Sequence, residues 1–312
     1  MFFSDEYFAD PHPVLARARE EAPVQQVADP DGRAYWAITR YADARAALAD
    51  PRLRKRFTPP DQPPLFHMLN SDPPDHTRLR KPLTSAFTAR RVQCLRQRIT
   101  ATTADLLDAA PEEFDLVADF ALPLPSLVVQ DLLGVPAADH DELAAWGAVL
   151  TTESHDEAYA EADRAMTAYF HRLVATKHAT PDDGLLSALV ADGRLTEQEL
   201  VDTALLVLTA GYETTVGLIA NGVPALLRHP EELAELRADR SRLPGVIDEV
   251  LRFDGPLVFA TPRFTEEDVK IGGTTIPARS AVLISLAAAN RDPTQFPDPD
   301  TFDPTRPGGH LA

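Results

Sequence analysis

Cysteine is almost missing from these 312 residues: there is one, Cys94, set among arginines. No disulfide within the chain and no CxxC metal site can form, which fits a reducing compartment. Nine histidines occur, none in an HExxH or HxH pattern that would point to a zinc or iron site built by the protein. The GxxxxGK[ST] and GxGxxG loops are also missing, so nothing supports nucleotide binding. Basic residues are scarce, 30 against 48 acids, and the net charge of −18 excludes nucleic acid or an anionic membrane as a general partner. No uninterrupted apolar run approaches the ~20 residues of a membrane span. The stretch MFFSDEYFADPHP carries acids where a signal peptide carries Lys or Arg, so a cytoplasmic protein is expected.

What is present describes a globular protein, with 44% hydrophobic and 25% charged residues. A chain of this length can bury a sizeable core in one large domain, and we read it as a single domain, 1–312. A short helix opened by Pro13 comes first, then VQQVADPDGRAYWAI, which alternates and turns at Asp29–Gly32 as a β-hairpin does. From Arg52 to Pro74 there are six prolines and no sustained period, an irregular loop whose apolar residues suit a fold over a cavity. Helical periodicity then dominates a body over about 74–254, punctuated by Pro, Gly and Asp. Sheet is expected from about 22–40 and 256–286, with Gly272–Gly273 as a turn, and a Pro- and Asp-rich meander over 290–310. The fold class is therefore mainly α with a smaller β-sheet (α+β).

The longest helix is the segment EQELVDTALLVLTAGYETTVGLIANGVPALL, capped by Thr196 with Glu199 answering at the third helical position. Its apolar residues fall on every face, which predicts burial on all sides. In its middle sit Gly211, Glu213, Thr214 and Thr215. A buried carboxylate is costly unless paired, and Gly costs about 1 kcal/mol against Ala inside a helix. Two readings stand side by side. The residues serve chemistry, or Gly211 relieves packing while Thr214 bonds back to the carbonyl of Ala210.

Three further constellations carry donors or charge. His76 and Arg80 are four apart and share a helix face suited to a carboxylate or phosphate. Glu249 and Arg252 are three apart, an ion pair that partial burial would oblige to find further partners, Arg306 being one candidate. Arg263 and His310 are lone donors. No acid occurs between Asp75 and Asp105, where Arg90, Arg91, Arg96 and Arg98 form a basic island suited to an acidic partner.

AGYETT at Ala210–Thr215, the ExxR of Glu249 to Arg252, the HxxxR of His76 to Arg80, PRF…EDVKIGG and NRDP…FPDPDTFDPTR occur in the order and spacing of a bacterial soluble cytochrome P450, and the chain resembles that family along essentially its whole length. The resemblance implies haem b as cofactor, a haem-dependent monooxygenase drawing electrons from a ferredoxin, and hydroxylation or epoxidation of a small organic, secondary-metabolite substrate. By it, Ala210 and Gly211 would lie against the haem, with Glu213 and Thr214 delivering protons during oxygen activation. His76, Arg80, Arg263 and His310 would hold the haem propionates. Glu249, Arg252 and Arg306 would be structural. Leu206, Val258 and Phe259 would line the substrate pocket under the 52–74 loop, and the ferredoxin would dock at Arg90, Arg91, Arg96 and Arg98. In that family the axial cysteine sits in a loop following the meander. Cys94 matches the helix after HxxxR instead, so no metal ligand is assigned, and the 312 residues alone are expected to be truncated before the cysteine loop and inactive. The alternative is a P450-like binding or scaffold protein without oxygen chemistry.

Overall fold

The computed structural model describes residues 2–56, 67–150 and 157–311. They form two compact units, Met1–Pro60 with Gly217–Ala312, and Asp61–Val216. In the first unit, the Ser4 hydroxyl caps α1 (Asp5–Ala9) and the Asp10 carboxylate caps α2 (Pro11–Glu21). The second helix therefore opens at Pro11, not at Pro13, because Asp10 supplies the capping oxygen and Pro11 takes the first helical position, where no N–H is needed. Strands β1 (Val24–Ala28) and β2 (Ala34–Ile38) pair as the alternation predicts, with Val24 opposite Ile38. Gly32 at φ +80° closes their turn, its N–H donating to the Asp29 carbonyl at 2.9 Å. Helix α3 (Tyr41–Ala49) and the two-residue β3 (Leu53–Arg54) follow. So short a strand leaves no periodic signal, and the sequence pattern missed it.

The unit spanning Asp61–Val216 has no strand among its described residues, and its longer helical elements are α4 (Asp75–Ala86), α5 (Ala89–Ala109), a π-helical stretch Leu116–Ala121, α6 (Pro123–Leu133), α7 (His140–Leu150), α8 (Glu157–Ala179), α9 (Leu185–Asp192) and the first part of α10 (Glu197–Arg228). Glycines in the left-handed region end two of these helices, Gly134 at φ +77° after α6 and Gly193 at φ +69° after α9. Leu133, Phe170, Leu185, Leu186, Val201 and Ala204 are completely buried in one core. Each large apolar side chain there is worth about 1.5–3 kcal/mol relative to exposure. Helix α5 buries none of its residues and presents Val92, Ile99 and Leu107 to solvent with its arginines.

The chain then returns to the first unit with α11 (Pro230–Ala238), α12 (Leu243–Asp254), β4 (Arg263–Thr265), β5 (Val269–Ile271), β6 (Thr274–Ile276), β7 (Ala281–Ile284) and α13 (Leu286–Asn290). The five-stranded sheet runs β1-β2-β7-β4-β3, with β2 and β7 parallel and the other pairs antiparallel. Ile38, Val282 and Ile284 bury its inner face. Strands β5 and β6 form a separate hairpin whose turn residues Gly272 and Gly273 both have positive φ, +56° and +85°, as the twist-matched two-residue turn requires. Residues 291–311 are an ordered meander without helix or strand.

Two helical stretches, Leu116–Leu133 and Glu197–Arg228, reach a membrane span in length and mean hydropathy, 1.5 and 1.4. Neither stretch is an uninterrupted apolar run, since an average over 18 residues tolerates the polar and acidic residues within it.

The start of α10 is built as a reciprocal cap. The Glu199 N–H donates to Thr196 Oγ1 at 3.2 Å while the Thr196 N–H donates to Glu199 Oε2 at 2.9 Å. The same carboxylate takes two bonds from the Arg78 guanidinium on α4, at 2.5 and 3.1 Å. Bonding to Arg78 holds the Glu199 carboxyl below its usual range, against a smaller opposing effect of burial. Its contribution to stability is therefore complete above the ordinary carboxylate pKa and is lost as pH falls through the lowered folded value. Glu199→Gln should flatten the acid limb of the stability–pH curve, and Thr196→Ala should lower stability by about 1 kcal/mol at neutral pH; urea unfolding of both variants across the acid range checks the pair.

Candidate active site

Helix α10 does not stay buried. Leu200, Val201, Ala204 and Leu208 are in the core, but Ala210 and Glu213 are exposed and Gly211 and Thr214 half-buried. The expectation of burial on all sides is thereby corrected: an all-round apolar composition permits burial everywhere, and the packing leaves Ala210 and Glu213 uncovered between the buried Leu208, Tyr212 and Ala225. Glu213 accordingly incurs little of the desolvation cost that a buried position would impose. Ala210 and Thr214, one turn apart, share an accessible face. The Thr214 hydroxyl donates to the Ala210 carbonyl at 3.1 Å, and Thr215 does the same to Gly211 at 3.3 Å. A Cβ built on Gly211 would meet Val129 Cγ2 of α6 at 2.9 Å, so packing alone already requires glycine there. Tyr212 points the other way, is buried, and has its phenol pushed up to about 12 by that burial, with Glu213 adding a smaller like-charge effect.

On α4, Leu79, Pro82, Leu83 and Ala86 face the core, and His76 and Arg80 fall on the outer side, His76 half-buried and Arg80 exposed. The two donors are one turn apart on a helix that Arg78 locks to Glu199. That lock was invisible in sequence because its partners are 121 positions apart.

Glu249 and Arg252 pair as their spacing suggested, with Arg306, the candidate third member, beside them, in a setting more buried than expected. The side chains of Glu249 and Arg252 are each 3% exposed. Arg252 donates through Nε and Nη2 to both Glu249 oxygens at 2.8 and 2.7 Å. Its remaining N–H groups reach the carbonyls of Asn290, Pro299 and Thr301 at 3.0, 2.8 and 3.1 Å. Glu249 Oε1 also accepts the Asp303 N–H at 2.8 Å, and Arg306 Nε lies 3.8 Å away from it. Every strong hydrogen-bonding direction of the pair is therefore used, which is the condition for burying it.

The remaining candidates are scattered within their units. Arg263 opens β4, half-buried, opposite Val282 of β7. His310 Nε2 lies 3.8 Å from Asp248 Oδ1, so this side chain faces a carboxylate of the protein itself. Tyr41 and Asn290 hold the backbone on either side of it, Tyr41 donating to the Gly309 carbonyl at 2.6 Å and Asn290 Oδ1 accepting the Leu311 N–H at 2.7 Å. Val258 and Phe259 pack with the N-terminal cluster, Phe259 lying 6.3 and 6.1 Å from the rings of Phe2 and Phe3, while Leu206 is buried in the other unit. Of the proline-rich 52–74 loop, residues 57–66 lie outside the described residues. Cys94 is exposed on α5. Beside it, Arg91 donates to the Asp183 carbonyl at 3.1 Å and Arg98 pairs with Asp131 at 2.5 Å, while Arg90 and Arg96 are exposed.

Comparison with known proteins decides the family. The Cytochrome P450 profile matches residues 148–309. A protein named cytochrome P450 107B1 from Saccharopolyspora erythraea is 46% identical over 334 residues, an alignment covering 99% of this chain and 82% of that protein. The chain belongs to the cytochrome P450 family. A second P450, mycinamicin IV hydroxylase/epoxidase from Micromonospora griseorubida, is 41% identical over 94% of this chain and 79% of its own length. The solved structure of the tirandamycin C-bound P450 monooxygenase TamI superposes with a TM-score of 0.90 at 42% identity, covering 99% of this chain and 84% of that one. Membership makes the chain an oxidoreductase of the monooxygenase class with haem as its cofactor, and it accounts for a mainly helical fold with a small sheet.

The P450 framework also gives the buried ion pair a testable weight. Glu249→Ala leaves the Arg252 charge buried with one partner gone, which typically costs 3–5 kcal/mol. We expect a loss of about that size, measured by thermal unfolding, with the meander becoming protease-sensitive.

Proposed function

We propose that the protein hydroxylates or epoxidises a small organic substrate of secondary metabolism, taking its electrons from a ferredoxin in a soluble, cytoplasmic setting. The observation that carries this reading is the placement of Ala210, Glu213 and Thr214 on the part of α10 that the protein core leaves accessible. The name of the mycinamicin IV hydroxylase/epoxidase supports the substrate class.

The residues present fit haem in two respects. The accessible stretch of α10 offers the small side chains Ala210 and Thr214 toward a flat apolar ring, and His76 with Arg80 offers hydrogen-bond donors one turn apart for a propionate. Arg263 is proposed as a further propionate donor. His310 is the weakest member of that set, since Asp248 already faces it. When bound, haem supplies the redox chemistry of dioxygen activation. Thr214 keeps its hydroxyl proton directed at the Ala210 carbonyl, which leaves the oxygen's lone pairs to accept a proton-carrying donor. Glu213, exposed and adjacent, exchanges protons with solvent and passes them toward Thr214. Gly211 keeps this segment of α10 seated on α6, so its role is to position the pair. Cys94 is not the axial thiolate, because it is exposed on α5 between the arginines of the basic island.

Thr214→Ala in the haem-loaded enzyme should cut product formed per electron at least tenfold, within the range of a lost acid–base group, with peroxide release rising to match. Unchanged coupling sinks the proton-delivery role. Cys94→Ser should leave the absorption spectrum of the carbon monoxide complex as it is. For the partner, Arg90→Glu with Arg96→Glu should raise the ferredoxin concentration needed for half-maximal rate several-fold at low salt, with the difference fading as salt screens the contact.

A further inference from the structure

Behind α10 the structure holds a cavity of about 240 Å³ lined from α6, α7, α8 and α10, which none of the proposed P450 residues uses. Leu127, Leu143, Ala144, Met166 and Leu208 make its wall apolar. Leu208, Thr209 and Tyr212 line it from α10, and at about 100° per residue they point roughly 160° away from Ala210, Gly211 and Thr214. It is therefore a separate space from the face assigned to haem.

One polar group on its wall is unsatisfied. Gln130 is 1% exposed, and its Nε2 donates to Ser126 Oγ at 3.0 Å, yet its Oε1 is buried with no hydrogen-bond partner. Two other polar groups of the wall are engaged within the protein: Thr209 donates to the Leu205 carbonyl at 3.0 Å, and the His140 ring meets the Val135 carbonyl at 3.3 Å. A buried acceptor without a donor carries its full desolvation cost, so a ligand that supplies a donor gains what the apo protein lacks. An engineered apolar cavity of about 150 Å³ takes up benzene, and the space here admits a larger ring.

We propose that this cavity is a binding site for a small one-ring alcohol or phenol, its ring among Leu127, Ala144, Met166 and Leu208 and its hydroxyl bonded to Gln130. A hydroxyl suits the position because it both donates and accepts, serving Gln130 whichever way the amide is turned. Burial keeps the Tyr212 phenol in the wall neutral, and the one carboxylate of the lining, Asp141, belongs to an exposed residue.

The test uses the intact chain, 4-ethylphenol and its counterpart ethylbenzene, which lacks the hydroxyl. The chain has three methionines, so ¹³C-methyl labelling gives a sparse spectrum in which Met166 reports on the cavity and Met68, which is outside its lining, serves as control. We expect 4-ethylphenol to shift Met166 saturably and leave Met68 in place, and to bind about tenfold tighter than ethylbenzene by calorimetry, the effect of one satisfied buried hydrogen bond. Gln130→Leu should abolish that preference, and Ala144→Phe, filling the space, should abolish both bindings in a chain whose far-UV spectrum is unchanged. An unmoved Met166, or equal affinity for the two ligands in the unmutated chain, overturns the proposal, and this comparison needs no variant to fold.

Discussion

A guanidinium with five N–H groups cannot be buried unless each direction finds an acceptor. Arg252 meets that requirement by taking its acceptors from three separate parts of the chain: its own helix through Glu249, the end of α13 through Asn290, and the meander through Pro299 and Thr301. The meander has no ladder or helix of its own, so beyond the turn bonds such as Thr301 N–H to the Asp298 carbonyl its carbonyls turn to side chains for partners. Arg306 and Asp303 extend the same arrangement, reaching back to Glu249 and to the carbonyl of Pro297. Removing one charge disturbs much more than one salt bridge, because the carbonyls it gathered lose their donor together.

In the helical unit the comparable role falls to Glu199. It closes the N-terminal turn of α10 and simultaneously receives Arg78, so the helix that carries Glu213 and Thr214 is fixed in register relative to the helix that carries His76 and Arg80. Two candidate sets, far apart in sequence, are thereby positioned by one carboxylate. Ala210 and Glu213 stay accessible on one side of α10 although Tyr212 between them and Ala225 further along are buried.

The elements most legible in sequence were those with a local cause. The reciprocal cap at Thr196 and Glu199 and the hairpin turn at Gly272–Gly273 each need residues only a few positions apart. The ion pair of Glu249 and Arg252 was legible for the same reason, although its depth of burial was not, since that depends on residues 290 to 306 folding over it. Arg78 with Glu199 and the two-residue strand β3 lay beyond sequence reasoning, one because its partner is remote and the other because it is too short for a period. The error over α10 was of another kind: composition says how much apolar surface a helix has, and the neighbours decide how much of it is covered. His310 and Phe259 show the same limit, their types suiting one role while their surroundings give them Asp248 and the Phe2–Phe3 cluster.

The contact of Gly211 with Val129 couples two positions 82 residues apart through volume. Any side chain at 211 displaces Cγ2 of Val129 or moves α10 off α6, so the two sites share a fixed amount of room. Across related sequences this constraint should show as covariation, with alanine at 211 accompanied by a smaller residue at 129. The glycine in the middle of AGYETT is then a record of the neighbouring helix as much as of the chemistry beside it.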